Sequence, residues 1–445
     1  MAHHHHIEIK QEKFEFTSRS KMICVVLLAL GIILSTIGIF QMRSEEHNTA
    51  DHKTEAHAAP HAEATTHDAV AEGHGEHGST WTKRFWANML VNSYYFLLFA
   101  VGALFFVALQ YAANAGWATL VKRVAEGISG YIPIGFILLF ITLYFGGSQL
   151  YHWLHYEHQG IKEGAEGFDK VLAGKSPFLN SKFLFLGVPL FCLIWYTFRI
   201  ILRRLSLRED NEGGITIFKK SITVSAAFLV IFGFSFSIFI WLAIMSIDAH
   251  WYSTIYTVNN FAIMFVTSTT IIAFFTIYLK SKGYMELVSS DILHDLGKFM
   301  FAFCIFWAYT WLAQFLLIWY ANIHEEVVYY HIRLHGYFRP MFFINLFMCF
   351  FIPFIWLMMR NAKRNPKSLL VAGSIILIGH WLDVFLMIMP GTMGIDTHIG
   401  LLEIGMPIAF TGLFIYVSLA CISKVNLYAI NHPYIIESAS YDVGP

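Results

Sequence analysis

The sequence predicts an all-α polytopic membrane protein with about ten transmembrane helices, and three observations carry that prediction. Of 445 residues, 56% are hydrophobic and only 13% charged, against roughly 25% charged residues in an ordinary soluble chain. Apolar runs near the 20 residues needed to cross a hydrocarbon core of roughly 30 Å recur along most of the chain. The connections between them are short, with two exceptions described below. Lys+Arg and Asp+Glu balance at 30 each, so net charge gives no argument for nucleic acid or a strongly acidic partner. Five cysteines (Cys24, Cys192, Cys304, Cys349, Cys421) stand singly in apolar segments. No C-x-x-C or C-x-x-C-H occurs, which argues against disulfides, cysteine-ligated iron–sulfur clusters and c-type haem attachment within this chain.

In chain order, residues 1–21 form a hydrophilic N-terminal segment whose His3 to His6 run, tag or native, is set aside from site reasoning. Residues 22–41 are the first spanning helix, read as a retained anchor because the apolar run is long and lacks a small-residue cleavage site. Residues 42–85 change character: Ala, Glu, Thr and Gly surround His47, His52, His57, His61, His67, His74 and His77. With almost nothing to bury, this is a linker, and the irregular histidine spacing favours that over a metal site. Residues 86–279 carry helices 2 to 6, expected at 86–112, 128–151, 182–202, 222–247 and 254–279. Residues 280–425 carry helices 7 to 10, at 297–321, 342–359, 368–389 and 401–422, before a tail at 426–445. The second long connection, 153–181, contains GIKEGAEGFDKVLAGK and has room for a short surface helix.

Lys and Arg set the orientation. With the N-terminus in the cytoplasm, Lys122, Arg123, the cluster from Arg199 to Lys220, Lys280, Lys282 and the cluster from Arg360 to Lys367 fall inside. That is the positive-inside pattern with both termini cytoplasmic.

Polar groups inside spans are costly and each is a functional candidate by default. On helix 7, Trp307, Trp311 and Gln314 fall at i, i+4 and i+7 and share one face. Helix 3 ends in Gln149, His152, His155 and Glu157, helix 5 in Asp248 and His250, helix 7 in Glu325 and Glu326. Helix 9 carries His380 and Asp383 as an i, i+3 pair, and helix 10 begins with Glu403 beside Gly405 and Pro407. The plain reading of the helix-end residues is solvation at the interface, of the tryptophans packing, and of the helix 9 pair a buried structural contact. The functional reading is sharper. Quinol oxidation needs hydrogen-bond partners for two hydroxyls and bases for two protons, and His with carboxylates beside an aromatic wall supplies both. His380, Asp383, Glu403 and Asp248 are accordingly candidate proton-transfer groups, and His152, Gln149, Gln314 and Trp311 candidate quinone contacts. No metal-ligand set is evident, so any redox centre belongs to a partner. A secondary transporter with a midplane polar site is the rival class, and an inert anchor for cytochromes a third.

Four stretches, DLGKFMFAFCIFWAYTWLAQFLLIWYANIHEE, IMSIDAHWYST, IYLKSKGY and GHWLDVFLMIMP, together resemble the ActF-type membrane subunit of bacterial alternative complex III, within the NrfD/polysulfide-reductase-like integral membrane family. The resemblance runs from about Trp86 to Glu437 and leaves out the His-rich linker. It implies two four-helix bundles, helices 2–5 and 6–9, flanked by helices 1 and 10. It also implies a menaquinol:cytochrome c oxidoreductase in a bacterial inner membrane. Haem c and iron–sulfur clusters would lie in partner subunits, namely a multihaem cytochrome c and an iron–sulfur protein. A paralogous NrfD-like subunit, ActC, would sit beside them and a cytochrome c oxidase downstream. The family often places an acidic residue between two tryptophans ahead of the Met-Ser-x-Asp-x-His-Trp motif; here that stretch reads Trp241, Leu242, Ala243. An internal repeat is faint, limited to Gln149 near Trp153 echoing Gln314 near Trp319.

Overall fold

The computed structural model describes residues 11–56, 80–160, 168–394 and 397–442. The His3 to His6 run and His57, His61, His67, His74 and His77 lie outside the described residues. Ten helices are long and apolar enough to cross a membrane: Ser18–Glu46, Thr80–Ala112, Gly116–Leu150, Ser181–Glu212, Ile215–Ala243, Ile255–Ser281, Ser290–Ala321, Phe338–Met358, Pro366–Met393 and Leu401–Ile422, helices 1 to 10. The chain is an all-α polytopic membrane protein. The only extended pairing among the described residues is a single bridge between Lys13 and Asn426.

Most helices outrun their apolar cores. The run that contains helix 1 continues to Ala56, into the stretch expected to be linker, because Ala, Glu and Lys there are good helix formers. Helix 3 starts twelve residues early, at Gly116, with a 3-10 turn at Ser129–Tyr131 just before Pro133. Lys122 and Arg123, expected in a connection, therefore lie inside it. Caps fix several starts. Asn180 accepts from the Phe183 N–H ahead of helix 4, Ser289 from Ile292 ahead of helix 7, and Asn365 from Lys367 ahead of helix 9. Gly213 and Gly214, at φ 63° and 89°, make the tight reversal between helices 4 and 5. Short helices at His152–Gln159 and Lys170–Lys175 occupy the second long connection, and another, His324–Leu334, lies between helices 7 and 8.

Helices 2 to 5 pack as one four-helix bundle and helices 6 to 9 as a second. The first helix of each, helix 2 and helix 6, meet at the centre of the molecule and are the most buried of the ten. At their crossing a Cβ on Gly102 would lie 2.0 Å from Ser268 Oγ, whose hydroxyl reaches the Leu98 and Phe99 carbonyls at 3.2 Å. Only glycine lets the two backbones come this close. Helix 1 docks outside the bundles, antiparallel to helix 10, along a seam of small residues: Gly31, Ser35 and Gly38 against Gly405, Ala409 and Gly412. A Cβ on Gly31 would meet the Ala409 backbone nitrogen at 2.2 Å. Close backbone approach through small residues is how helices associate where lipid removes the hydrophobic drive.

The two chain ends meet on one face. Leu427 N–H donates to the Glu12 carbonyl at 2.7 Å, Met285 N–H donates to the Glu12 carboxylate at 2.9 Å, and Phe14 is buried against Tyr278 and Tyr284. This is the chain-end face; residues 152–160, 168–175, 244–254 and 324–334 lie on the far face.

Candidate functional site

Along helix 9 the apolar run is interrupted by His380 and Asp383, 0% and 3% exposed. Three residues apart, they point the same way, into the second bundle. Each neighbouring helix contributes a polar group. Trp307 on helix 7 donates its indole N–H to Asp383 Oδ2 at 2.8 Å, and Asn345 on helix 8 donates to Oδ1 at 2.9 Å. His380 Nδ1 stands 3.9 Å from Asp383 Oδ2 and 3.6 Å from Cys349 Sγ, while Cys349 also reaches Asn345 Oδ1 at 3.1 Å. On helix 6, Asn259 donates to Thr310 Oγ1 at 3.0 Å, one turn from Trp307. His380 Nε2 is buried without a hydrogen-bond partner, and the Trp307 ring stands edge-on to the imidazole at 5.4 Å.

Two backbone features let helix 8 come this near. Gly379 faces it, where a Cβ would lie 2.9 Å from Cys349 Sγ. Helix 8 also passes through a π turn at Phe347–Phe351. Pro353 supplies no N–H for the Cys349 carbonyl, so the ladder slips by one residue there, and the slip turns Cys349 toward His380.

From Asp383 a small polar cavity of about 30 Å³ leads toward the far face, lined by Asn345, Trp311, Gln314, Tyr330 and Arg333. It has room for about two water molecules, each needing roughly 10–15 Å³ of such space. Arg333 closes it. Its guanidinium donates to the carbonyls of Leu386 (2.9 Å), Tyr329 (2.7 Å) and Met387 (3.0 Å) and to Asp248 Oδ2 (3.0 Å). The guanidinium also stacks 3.4 Å from the Tyr329 ring, and Trp251 covers that ring at 4.0 Å. Burial works against the Arg333 charge, but Tyr329 and Asp248 outweigh it and hold the group above its ordinary value. Burial pushes Tyr329 up to about 12, so the plug is one fixed cation and one neutral phenol across the physiological range.

The sequence-predicted residues fall into three places. His380 and Asp383 form the centre, Trp311 and Gln314 line its cavity, and Asp248 is the counter-ion of Arg333 at the outer end. Glu403 is elsewhere, in the first turn of helix 10. Both its oxygens are held by Arg84, at 2.7 and 2.9 Å, and it also accepts from Asn88 (2.9 Å) and the Gly400 N–H (2.8 Å). With four donors on one carboxylate, Glu403 clamps helix 10 to the start of helix 2. Gln149 and His152 belong to the first bundle and do not line the Asp383 cavity. Gln149 Oε1 is buried without a partner, whereas the His152 side chain is exposed.

Sequence reasoning passed over a second group of buried charges, at the chain-end face of the first bundle. Lys122 donates to Tyr111 Oη (2.7 Å) and Glu209 (3.3 Å). Arg123 pairs with Glu126 (3.2 Å) and with Asp210, and Arg203 pairs with Glu126, which also accepts from Ser206 at 2.6 Å. His432, from the segment after helix 10, is lowered to about 2 by burial and by the nearby Lys122. It therefore remains a neutral imidazole that accepts from the Tyr434 N–H at 3.2 Å. The available signal was the acids: Glu126, Glu209 and Asp210 stand at the ends of the same apolar runs as the lysine and arginines. Among the described residues no three His, Cys, Asp or Glu side chains converge to hold a metal ion. No protein-family model and no curated protein matches this chain.

Proposed function

We propose that this chain is an integral membrane subunit of a menaquinol:cytochrome c oxidoreductase of the alternative complex III type, and that its own part is proton-linked. The observation that supports this reading is the Asp383–His380 pair: a carboxylate and an imidazole 3.9 Å apart, both buried at mid-bundle. No Lys or Arg stands within ion-pairing distance of Asp383 among the described residues. A buried carboxylate of this kind is costly to keep unless it exchanges a proton or shares charge with its neighbour. The arrangement of two four-helix bundles flanked by two helices agrees with what the sequence resemblance implies.

Menaquinol itself does not fit beside Asp383. A cavity of about 30 Å³ holds a water or two and is far below the roughly 300–1,000 Å³ of small-molecule pockets. The chemistry this arrangement suits at Asp383 is therefore proton transfer. Asp383 holds or releases a proton, and His380 is the neighbouring base. Gln314 lines the cavity, which has room for water and continues toward the far face. Arg333, paired with Asp248, closes the outer end. Electron transfer belongs to haem and iron–sulfur partners.

Native purification tests the assembly: the chain should elute with haem- and iron-containing partners, and elution alone, free of both, overturns the complex. Asp383→Asn tests the site. Quinol:cytochrome c turnover or coupled proton release in the assembled complex should fall at least tenfold. Unchanged activity in Asp383→Asn and in His380→Gln overturns the proton assignment.

A further inference from the structure

Helix 10 follows helix 9 in the chain, yet its main contacts are with helices 1, 2 and 3. A cleft therefore opens between the helix 1–helix 10 pair on one side and helices 6 and 9 on the other. Its volume is about 940 Å³ and its walls are almost wholly apolar, among them Ile271, Phe275, Leu377, Trp381, Pro407 and Phe414. It runs from Ser20, Tyr278 and Ser281 at the chain-end face to Ile399 and Glu403 at the far face. Along helix 10, from Glu403 to Leu419, the lining extends about 24 Å at 1.5 Å per residue, most of a hydrocarbon core of roughly 30 Å. A void of this size and polarity inside a bilayer takes hydrocarbon chains.

The two mouths of the cleft differ in charge. At the far face the ionised group is Glu403, already bound by Arg84. At the chain-end face the hydroxyls of Ser20 and Tyr278 lie 3.1 Å apart, and three cations stand on or beside the same elements. Lys282 Nζ stands 5.8 Å from the centre of the Tyr278 ring, Lys21 Nζ 5.4 Å from that of Phe16, and Arg19 immediately precedes Ser20. All three cations are exposed. Three acids lie nearby: Glu12 receives the Met285 N–H, and Glu15 and Glu286 are exposed, against five exposed cations on the same segments, Lys13, Arg19, Lys21, Lys280 and Lys282. Positive charge is in excess at this mouth. Exposed cations beside paired hydroxyls at interface depth match a phosphate.

We propose that the cleft is a binding site for an anionic phospholipid. Its phosphate lies at Lys21, Lys282 and the Ser20–Tyr278 hydroxyls, and one acyl chain runs along Phe275 and Phe414. The bound lipid fills the wedge that helix 10 leaves by packing on the first bundle, and so joins the helix 1–helix 10 pair to the second bundle. This inference is independent of the proton assignment at Asp383.

Native mass spectrometry of the purified full chain, exchanged from detergent into mixtures of phosphatidylglycerol and phosphatidylcholine, tests it. The wild type should retain phosphatidylglycerol at least fivefold over phosphatidylcholine. Lys21→Gln/Lys282→Gln changes only exposed side chains and should abolish that preference while leaving the folded mass and thermal midpoint unchanged. Ile378→Trp, at the exposed rim of the cleft, should lower retention of both lipids. Equal retention of the two lipids by the wild type overturns the proposal. So does a preference that survives the double lysine change, or displacement of bound lipid by menaquinone with the lysine variants indifferent.

Discussion

The two bundles are built alike, four helices with the first at the molecular centre, and both bury ion pairs toward the chain-end face, Asp291 with Arg364 in the second; they differ in what they bury at mid-depth. The first holds Lys122, Arg123 and Arg203 against Glu126, Glu209 and Asp210, so three cations meet three anions at the chain-end face. Its middle is aromatic, with Trp195 packed among Phe232, Phe236 and Phe239. The second bundle places one carboxylate, Asp383, at mid-depth with an imidazole and neutral N–H donors as company. The difference separates architecture from chemistry. In the balanced network each charge answers another, whereas Asp383 is served by a histidine 3.9 Å away and by neutral N–H donors.

The largest expected effect comes from unbalancing the first bundle. Lys122→Met strands Glu209 in the interior and should cost about 3–5 kcal/mol, with the Lys122→Met/Glu209→Leu double variant recovering most of it. Thermal unfolding in detergent reads both, and a neutral single variant would erase the distinction between the bundles. Arg84→Met, which strands Glu403, belongs in the same range. Next comes a matched pair of tryptophans. Trp307→Phe keeps the ring against His380 but removes the N–H that serves Asp383, at about 1.5–3 kcal/mol. Trp195→Phe in the first bundle loses a neutral bond to Ser235, 2.9 Å long, worth about 0.5–1.5 kcal/mol. Equal costs would mean that Asp383 makes no greater demand on its donors than a serine does.

The smallest effect is expected at the far-face clasp, where His250 Nε2 meets Asp169 at 2.5 Å and both side chains are partly exposed. His250→Ala should cost under about 1 kcal/mol. Burial raises the Asp169 carboxyl, but His250 and the N–H groups of Leu172 and Val171 outweigh it and hold the group below its ordinary value. A depressed carboxyl contributes stability that is fully present above its unfolded value and lost as pH falls through the folded one. Protection of the Val171 and Leu172 amides from hydrogen exchange, taken relative to the intrinsic rate at each pH, should therefore fall only in acid, below the usual carboxylate range.

The helices were legible because length and apolarity suffice to find a span, and His380 with Asp383 were legible because nothing else ionisable interrupts helix 9. Partners on other helices were not. Asp383 reads as exceptional in sequence and remains so in the fold, but Glu403 reads the same way and proves to be saturated by Arg84, 319 residues away. The first-bundle network was hidden for the opposite reason. Its members sit at the ends of apolar runs, where lysine and arginine look like ordinary interface residues, and only the extra turns of helices 3 and 4 carry them inside. Spacing reveals which residues share a face, not what another helix presents to that face.

The glycine seam sets a timetable for making the protein. Helix 1 leaves the ribosome well before its mate, helix 10, with eight other spans made between them. At roughly 5–20 residues per second, the interval between Gly31 and Gly405 is about 20–75 seconds. Throughout that time helix 1 stands in the bilayer with its glycine face unmatched, so the membrane itself must hold the first helix in waiting until the last arrives.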